Sequence, residues 1–414
     1  MKGKKFRLRR CFAGTLLLCG GLLSGCAAAH SDVALPMPQA AEVQAAPTPE
    51  QSKLPVEQAV EDFTLRELVG QLFWVRPDAL DPQLTQETID DASAPGVTAC
   101  TESLVETLAE VPVGGIVFFG KNLVDAETLR TFQADLQAAS TVPLLFAIDE
   151  EGGAVARLAH HDGFDVPQYE SAAAVGTQGP EAVKEMAQTI GSYLRQNGFA
   201  LDFAPVADVN TNSDNPIIGS RAFSAEPEQA AACVAAAVEG FHQAGMLCTL
   251  KHFPGHGDTA QDSHKGTAVT EKDWESLQAC ELMPFRAGIA QGADAVMAAH
   301  IMTPYATQDG LPASLSLTML TERLRGELGF EGVIITDSLA MQAVTDWYLP
   351  GEAALLALQA GADVLLMPPD LRGTFDAVLQ AAEEGELSRE RLEQSVVRIL
   401  TLKENAGLWS PKEK

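Results

Sequence analysis

Residues 332–338 read GVIITDS, a near-continuous apolar run that leads into an acidic residue, Asp337. A run without polar alternation is typical of a strand buried on both faces, as in a parallel sheet. Seven further runs share this pattern, and amphipathic stretches separate them. The runs are QLFWV (71–75), GGIVFFG (114–120), LLFAID (144–149), LDFAPVAD (201–208), LCTLKHF (247–253), DAVMAAHIM (294–302) and GADVLLMP (361–368).

The stretches between the runs carry helical signals. Residues 180–198 and 228–245 have helical periodicity and end at Gly198 and Gly245, where C-caps are expected. The eight runs start about 41 residues apart on average, and a (β/α)8 barrel needs at least about 31 residues per unit. An open doubly wound sheet shows the same alternation, usually with fewer strands. We therefore predict an α/β protein with a single-domain (β/α)8 TIM-type barrel over residues 56–414.

Ionisable residues follow or end five of the apolar runs. In a barrel these carboxyl ends converge on one face, and that face carries the active site. The residues are Asp149, Asp208, Lys251 with His252, His300 and Asp337.

The first 55 residues read as a targeting signal followed by a linker. Six basic residues precede the apolar run from Cys11 to Gly25, which is shorter than the ~20 residues of a spanning helix. We expect a signal peptide over 1–25. Residues 23–26, LSGC, resemble a bacterial lipobox, which implies lipidation of Cys26. An ordinary signal cut near residues 27–29 is the alternative. The Ala- and Pro-rich segment 26–55 is predicted to be a disordered linker.

Net charge and cysteine content restrict the partners and metal sites that are expected. The net charge of −28 argues against a nucleic-acid partner, because no broad basic surface can be assembled. Four cysteines lie beyond the lipobox, and none belongs to a CxxC pair, so a zinc site built on them is not expected. Their disulfide state is left open, because sequence cannot choose a pairing. They are Cys100, Cys233, Cys248 and Cys280.

The segment KHFPGHGDTAQDSH (251–264) holds three of the eight histidines. It fits either a metal site or a metal-free acid/base loop beside a sugar-binding strand end. Pro254, Gly255 and Gly257 disfavour a helix, which weakens the metal interpretation. His256, between two glycines, is also compatible with a purely structural turn.

This segment resembles the signature of the β-N-acetylhexosaminidases in glycoside hydrolase family 3. AIDEEGGAVARL (147–158), DFAPVADV (202–209), IGSRAF (218–223) and GVIITDSLAM (332–341) agree with it in order and spacing. The resemblance runs from about residue 60 to about 408. It implies a barrel that removes terminal β-linked N-acetylglucosamine with retention, and it implies neither a cofactor nor a metal.

The resemblance also implies roles for individual residues. Asp337 matches the nucleophile, His264 the general acid/base and Asp262 its partner. Sugar contacts map onto Asp149, Arg157, Arg221, Lys251 and His252, while Asp208 and His300 are expected to be structural or supporting residues. One position departs from the family pattern: Ala154 stands where that pattern has Arg.

Residues 76–112 read as a long acidic, loop-like insertion between the first two strands. In a barrel the insertion should lie near the active-site mouth, where we expect it to shape the leaving-group side of the pocket.

The leading hypothesis is a lipoprotein on the outer face of the bacterial cell membrane that cleaves muropeptide or chitin-type oligosaccharides. The alternatives are another β-glycosidase or a phosphorolytic variant of the same family, a metal-dependent barrel hydrolase, and a solute-binding lipoprotein. The oligomeric state is left open.

Overall fold

The computed structural model of the chain describes residues 55–263 and 266–411. Eight parallel strands within these residues form a barrel, and each of the eight predicted runs contains one of them, so the predicted (β/α)8 fold is confirmed. The strands of the described residues are β1 (Phe73–Val75), β2 (Gly115–Phe118), β3 (Leu145–Ile148), β4 (Leu201–Asp202), β5 (Leu247–Phe253), β6 (Ala268–Val269), β7 (Ala295–Ala298), β8 (Ile301–Met302), β9 (Val333–Thr336) and β10 (Leu365–Leu366), and of these the two short strands β6 and β8 lie outside the barrel.

The barrel strands follow the order β10-β1-β2-β3-β4-β5-β7-β9, and each pairs in parallel with its neighbours. A parallel bridge between Ile335 and Val364 joins β9 to the residue before β10 and closes the ring. The two short strands β6 and β8 form a separate pair. Every residue of β2, β3, β7 and β9 is buried, which explains why their sequences do not alternate.

Helices connect the strands around the outside of the barrel. They are α1 (Pro55–Val60), α2 (Leu65–Gln71), α3 (Gln86–Asp90), α4 (Glu102–Glu110), α5 (Ala126–Ala139), α6 (Ala172–Gly176), α7 (Pro180–Gln196), α8 (Pro227–Gln243), α9 (Trp274–Ala279), α10 (Leu282–Ala290), α11 (Gln342–Thr345), α12 (Pro350–Ala360), α13 (Leu371–Glu383) and α14 (Arg389–Asn405). A π-helix spans Thr318–Glu327, and 3-10 turns span Pro77–Leu80, Gly120–Asn122, Gly219–Arg221 and Ala313–Leu315.

The two helices predicted at 180–198 and 228–245 are α7 and α8. Each begins with a proline at its first turn, where the missing N–H costs no hydrogen bond. Each is followed by the predicted glycine in the left-handed region, with φ of 82° at Gly198 and 70° at Gly245. Glycine adopts this conformation without steric strain, and the helices end there.

The insertion 76–112 is more ordered than a loop, so this part of the prediction is wrong. It contains a 3-10 turn and the helices α3 and α4, which begin at the N-caps Thr85 and Thr101. Buried Asp78 holds it in place by accepting hydrogen bonds from Asn122 Nδ2 (2.7 Å) and from the backbone N–H of Val97 (3.2 Å). Threonine hydroxyls at the caps satisfy helix N–H groups that a loop would leave to water.

Aromatic packing fixes the core between β2 and its neighbours. The ring of Phe118 meets Phe132, Phe146 and Phe199 edge to face, with centroids 5.6–5.8 Å apart. Such pairs contribute about 0.5–1.5 kcal/mol each beyond the area they bury.

The signal peptide 1–25, the lipidation site Cys26 and the linker up to residue 54 lie outside the described residues, so these predictions stay predictions. In the part of the chain that is described, no helix has the length and apolar character required to cross a bilayer. Within the same part, the four cysteines beyond the lipobox are free thiols.

Candidate active site

The polar strand ends predicted from the sequence meet at one end of the barrel, because all eight strands run in the same direction. Asp149 directly follows β3, and Asp337 directly follows β9. Lys251 and His252 are among the last residues of β5, and His300 lies between β7 and β8. This carboxyl end is where barrel enzymes carry their active sites.

Lys251 is the centre of a buried ionic network. Its Nζ donates to Asp149 Oδ1 at 2.8 Å and lies 2.7 Å from Glu151 Oε1, while the residue is only 2% exposed. Burial alone would lower the pKa of Lys251, but the two carboxylates outweigh it and raise that pKa. The ammonium group is therefore charged throughout the neutral range.

Arg221 completes this network from the 3-10 turn Gly219–Arg221. Its Nε and Nη2 both donate to the carboxylate of Glu151 at 2.7 Å, a bidentate pair. Burial would raise the pKa of Glu151, yet Lys251 and Arg221 lower it to about 2. We refer to Asp149, Glu151, Arg221 and Lys251 as the Lys251 network.

Glu151 was not among the predicted site residues. It lies in the segment 149–154, where the departure from the family pattern is at Ala154. The available signal was its place two residues after a strand-end aspartate, in a glycine-bearing loop.

His252 extends the network through Asp208. Its Nδ1 lies 2.7 Å from Asp208 Oδ2, and its Nε2 lies 3.4 Å from Nη2 of Arg221. Asp208 is buried, and burial would raise its pKa, but His252 outweighs that effect and lowers it. An ionised Asp208 accepts a hydrogen bond from Nδ1–H of His252, which fixes the ring with its Nε2 edge toward Arg221. Asp208 thus orients a predicted sugar contact, as expected for a supporting residue.

Arg157 lies at the edge of the site. Its Nη2 is 3.4 Å from Asp149 Oδ2, and its guanidinium lies 4.9 Å from the ring centre of Phe119. Buried Glu150 supports this segment by accepting from the backbone N–H groups of Leu158 (2.8 Å) and Ala159 (3.0 Å). These two hydrogen bonds fix the backbone that follows Arg157.

The loop after β5 contains a second histidine in a structural position. His256 is 1% exposed, and its Nδ1 and Nε2 lie 2.7 Å from Thr259 Oγ1 and 2.9 Å from Ser263 Oγ. Burial lowers the pKa of His256, so its ring is neutral near pH 7. Both ring nitrogens are engaged within the loop, which fits the structural-turn interpretation of this residue.

The predicted acid/base pair is only partly described. Asp262 lies on this loop, whereas His264 lies outside the described residues. Ser263, whose hydroxyl contacts Nε2 of His256, directly precedes His264 in the sequence.

Asp337 is held by backbone interactions at the end of β9. Its Oδ1 accepts from the N–H of Ser338 at 2.7 Å, and its own N–H donates to Ala298 O at 2.8 Å. His300 lies beneath it, with Nε2 2.9 Å from Ser338 O and Nδ1 2.6 Å from Ser314 Oγ. His300 therefore fixes the backbone beside Asp337, in agreement with its expected structural role.

The carboxyl end of this barrel gathers strand-end carboxylates around paired cations, an arrangement typical of the active site of a barrel enzyme. The comparison with known families specifies this class. Residues 64–402 match the N-terminal domain of glycosyl hydrolase family 3, and the chain belongs to that family.

Individual relatives agree with this assignment. The chain is 34% identical over 333 residues to β-hexosaminidase A of Pseudoalteromonas piscicida, which covers 74% of this chain and 56% of that one. It is 39% identical over 279 residues to the β-hexosaminidase of Xylella fastidiosa (strain 9a5c), covering 66% and 82%. The structure of a family 3 β-N-acetylglucosaminidase from Paenibacillus sp. str. FPU-7 matches with a TM-score of 0.76 and 37% identity, covering 85% of this chain and 64% of that one.

The predicted resemblance to the β-N-acetylhexosaminidases of family 3 is confirmed by these matches. The chain spans less than two thirds of the P. piscicida relative and of the Paenibacillus enzyme.

Proposed function

We propose that the chain is a retaining exo-β-N-acetylglucosaminidase that removes terminal β-linked N-acetylglucosamine from muropeptide or chitin-type oligosaccharides. The observation that carries the proposal is the Lys251 network, a buried ammonium between two carboxylates at the carboxyl end of the barrel. The β-hexosaminidase and β-N-acetylglucosaminidase names of the relatives support it.

The network suits the recognition of a sugar. Ionised Asp149 accepts hydrogen bonds from sugar hydroxyls, while Lys251, Arg221 and Arg157 donate them. Mutual pairing fixes these groups before the substrate arrives, so little ordering is needed on binding.

In the first chemical step, a carboxylate oxygen of Asp337 attacks the anomeric carbon and the glycosidic C–O bond breaks. His264, oriented by Asp262, gives its proton to the departing oxygen. The electrons of the broken bond stay on that oxygen, and a covalent glycosyl ester forms on Asp337.

In the second step, His264 takes a proton from water, and the water oxygen attacks the anomeric carbon. The ester bond to Asp337 breaks, and N-acetylglucosamine leaves with its original β-configuration. An imidazole begins with a pKa near 6.5 and needs little tuning to give and take a proton near neutral pH.

The test combines kinetics with trapping of the intermediate. Asp337→Ala should lower turnover of p-nitrophenyl N-acetyl-β-D-glucosaminide by roughly 10³-fold or more, because the covalent route is lost. A 5-fluoro derivative of N-acetylglucosaminyl fluoride should add one sugar mass to the peptide that contains Asp337. Asp346→Ala, an exposed aspartate beyond the same strand end, is the matched control. A label on another residue, or release of the α-anomer, contradicts the mechanism.

His264→Ala should slow poor leaving groups more than p-nitrophenolate, because only poor ones need a proton. Equal losses on both substrates contradict the acid role. Turnover with added chelator and with or without inorganic phosphate tests the metal-dependent and phosphorolytic alternatives. The p-nitrophenyl β-D-glucoside tests the alternative sugar specificity.

We also propose that the chain is exported and anchored to the outer face of the bacterial cell membrane through a lipid on Cys26. The basic start, the short apolar run and the sequence LSGC at 23–26 support this proposal. Radioactive palmitate should label the full chain produced in bacteria but not its Cys26→Ala variant. An unlabelled full chain that fractionates with soluble proteins contradicts the anchor.

A further inference from the structure

A second cleft opens beside the Lys251 network. Its volume is about 510 Å³, within the range of about 300–1,000 Å³ that is typical of small-molecule sites. Arg157 lines this cleft and also contacts Asp149, so the cleft adjoins the Lys251 network. We call it the outer cleft. Its walls come from the insertion after β1 (Arg76, Asp90), the loop after β2 (Phe119, Lys121) and the loop after β3 (Ala154, Arg157).

The position of the outer cleft around the barrel defines what it faces. In the ring of eight strands, β3 lies four strands from β9 in either direction. Asp149 and Arg157 therefore lie across the mouth from Asp337. A sugar whose anomeric carbon meets Asp337 presents its opposite edge, which carries the C3 and C4 hydroxyls, to Asp149. The outer cleft continues outward from that edge, on the non-reducing side.

The charges around the outer cleft are internally paired. The Arg76 guanidinium pairs with Asp90, Lys121 Nζ lies 3.6 Å from Asp78, and Arg157 pairs with Asp149. Each of these cations has an acidic neighbour, and Asp149 is shared between Arg157 and Lys251. Such a surface offers hydrogen-bond donors and acceptors to a neutral ligand that is rich in hydroxyl groups.

One further feature favours a bound sugar. Ala154 is exposed in the wall and contributes only a methyl group, so the space in front of it is open.

Resting on the proposed function, we propose that the outer cleft is a subsite for a second neutral sugar, linked to O4 of the sugar bound at Asp337. The chain then releases a terminal disaccharide as well as a single terminal sugar. This places the insertion 76–112 on the non-reducing side of the site rather than on the leaving-group side.

The test uses p-nitrophenyl β-N,N′-diacetylchitobioside, with products followed by mass spectrometry from the first turnovers. If the outer sugar enters the cleft, p-nitrophenol and intact diacetylchitobiose appear together without a lag. If it cannot, the first products are N-acetylglucosamine and p-nitrophenyl N-acetylglucosaminide, and p-nitrophenol follows after a lag.

Ala154→Arg fills the outer cleft and should lower the rate of diacetylchitobiose release at least tenfold. It should change turnover of p-nitrophenyl N-acetyl-β-D-glucosaminide less than twofold, and Ala154→Ser should behave like the unaltered chain. Absence of diacetylchitobiose among the first products, or an unchanged product ratio in Ala154→Arg, overturns the inference alone. Inactivity of the unaltered chain on both glycosides overturns the proposed function and this inference with it.

Discussion

Lys251 Nζ lies 2.7 Å from Glu151 Oε1, and both side chains are only 3% exposed. Glu151 also holds Arg221 through two hydrogen bonds of 2.7 Å. One carboxylate thus compensates a buried cation, Lys251, and a half-buried one, Arg221, both of which the proposed mechanism uses to bind the sugar. Removing its charge should therefore affect stability and substrate binding together.

Glu151→Gln should lower the free energy of unfolding by about 3 kcal/mol, because breaking a buried ion pair leaves charge uncompensated. It should also lower kcat/KM, mainly through a higher KM. Urea unfolding and steady-state kinetics measure the two effects. The control is Glu383→Gln on an exposed face of α13, which should change neither. Wild-type stability in Glu151→Gln contradicts the prediction.

The same carboxylate should shape stability in acid. Its pKa is about 2 in the folded chain, whereas an unfolded glutamate titrates near pH 4.3. As the pH falls the unfolded state binds the proton first, so the stabilisation is present above about pH 4.5 and is lost toward pH 2. In Glu151→Gln the decline over this window should be shallower by up to about 1.4 kcal/mol per pH unit. Unfolding curves at pH 2.5–6 test this, and parallel declines contradict it.

Lys403 should produce the opposite pH dependence. This residue of α14 is completely buried and donates to Gln71 Oε1 at 2.6 Å. Burial lowers its pKa to about 7, far below the usual 10.4. Between about pH 7 and 10 the unfolded state binds more protons, so the free energy of unfolding rises with pH in this window.

Lys403→Met should remove that rise. The free energy of unfolding of the variant should exceed that of the unaltered chain by more at pH 6 than at pH 10. The gain is reduced by about 1–3 kcal/mol, because Gln71 loses its hydrogen-bond donor. Lys184→Met, on the outer helix α7, should keep the rise. A Lys403→Met variant with an unchanged slope between pH 7 and 10 refutes the assignment.

His256 and Ser263 should act on the chemical step as one unit. His256→Ala removes the contact at 2.9 Å that anchors Ser263, the residue next to the proposed acid His264. We expect kcat to fall about 10–100-fold, most strongly for poor leaving groups, with little change in KM. Ser263→Ala should give a similar loss, and the double variant should be no worse than His256→Ala. Additive losses in the double variant contradict a shared role.

The barrel could be predicted because its strands are buried on both faces. The runs around Phe118 and Ile335 show no polar alternation for that reason. The strand-end positions of Asp149, Lys251 and Asp337 were also accessible, since parallel strands bring those ends together.

Other features depend on tertiary contacts that have no local signature. Glu151 lies in an irregular loop without periodicity, and only the approach of Arg221, 70 residues further along, reveals its role. Lys403 looks like an ordinary basic residue near a helix end until Gln71, 332 residues away, covers it. In the insertion, by contrast, the N-cap residues Thr85 and Thr101 are local signals that the sequence itself displays.

The attachment of the insertion 76–112 has a consequence for how such enzymes diversify. Asn122 and Lys121 hold it through Asp78, Val97 and the backbone carbonyls of residues 88, 89 and 91. These hydrogen bonds come from the loop after β2 and are separate from the strand ends that carry Asp337 and Lys251. The insertion can therefore change in length and composition during evolution while the residues at those strand ends stay the same. The same separation makes the insertion a segment that can be exchanged by protein engineering.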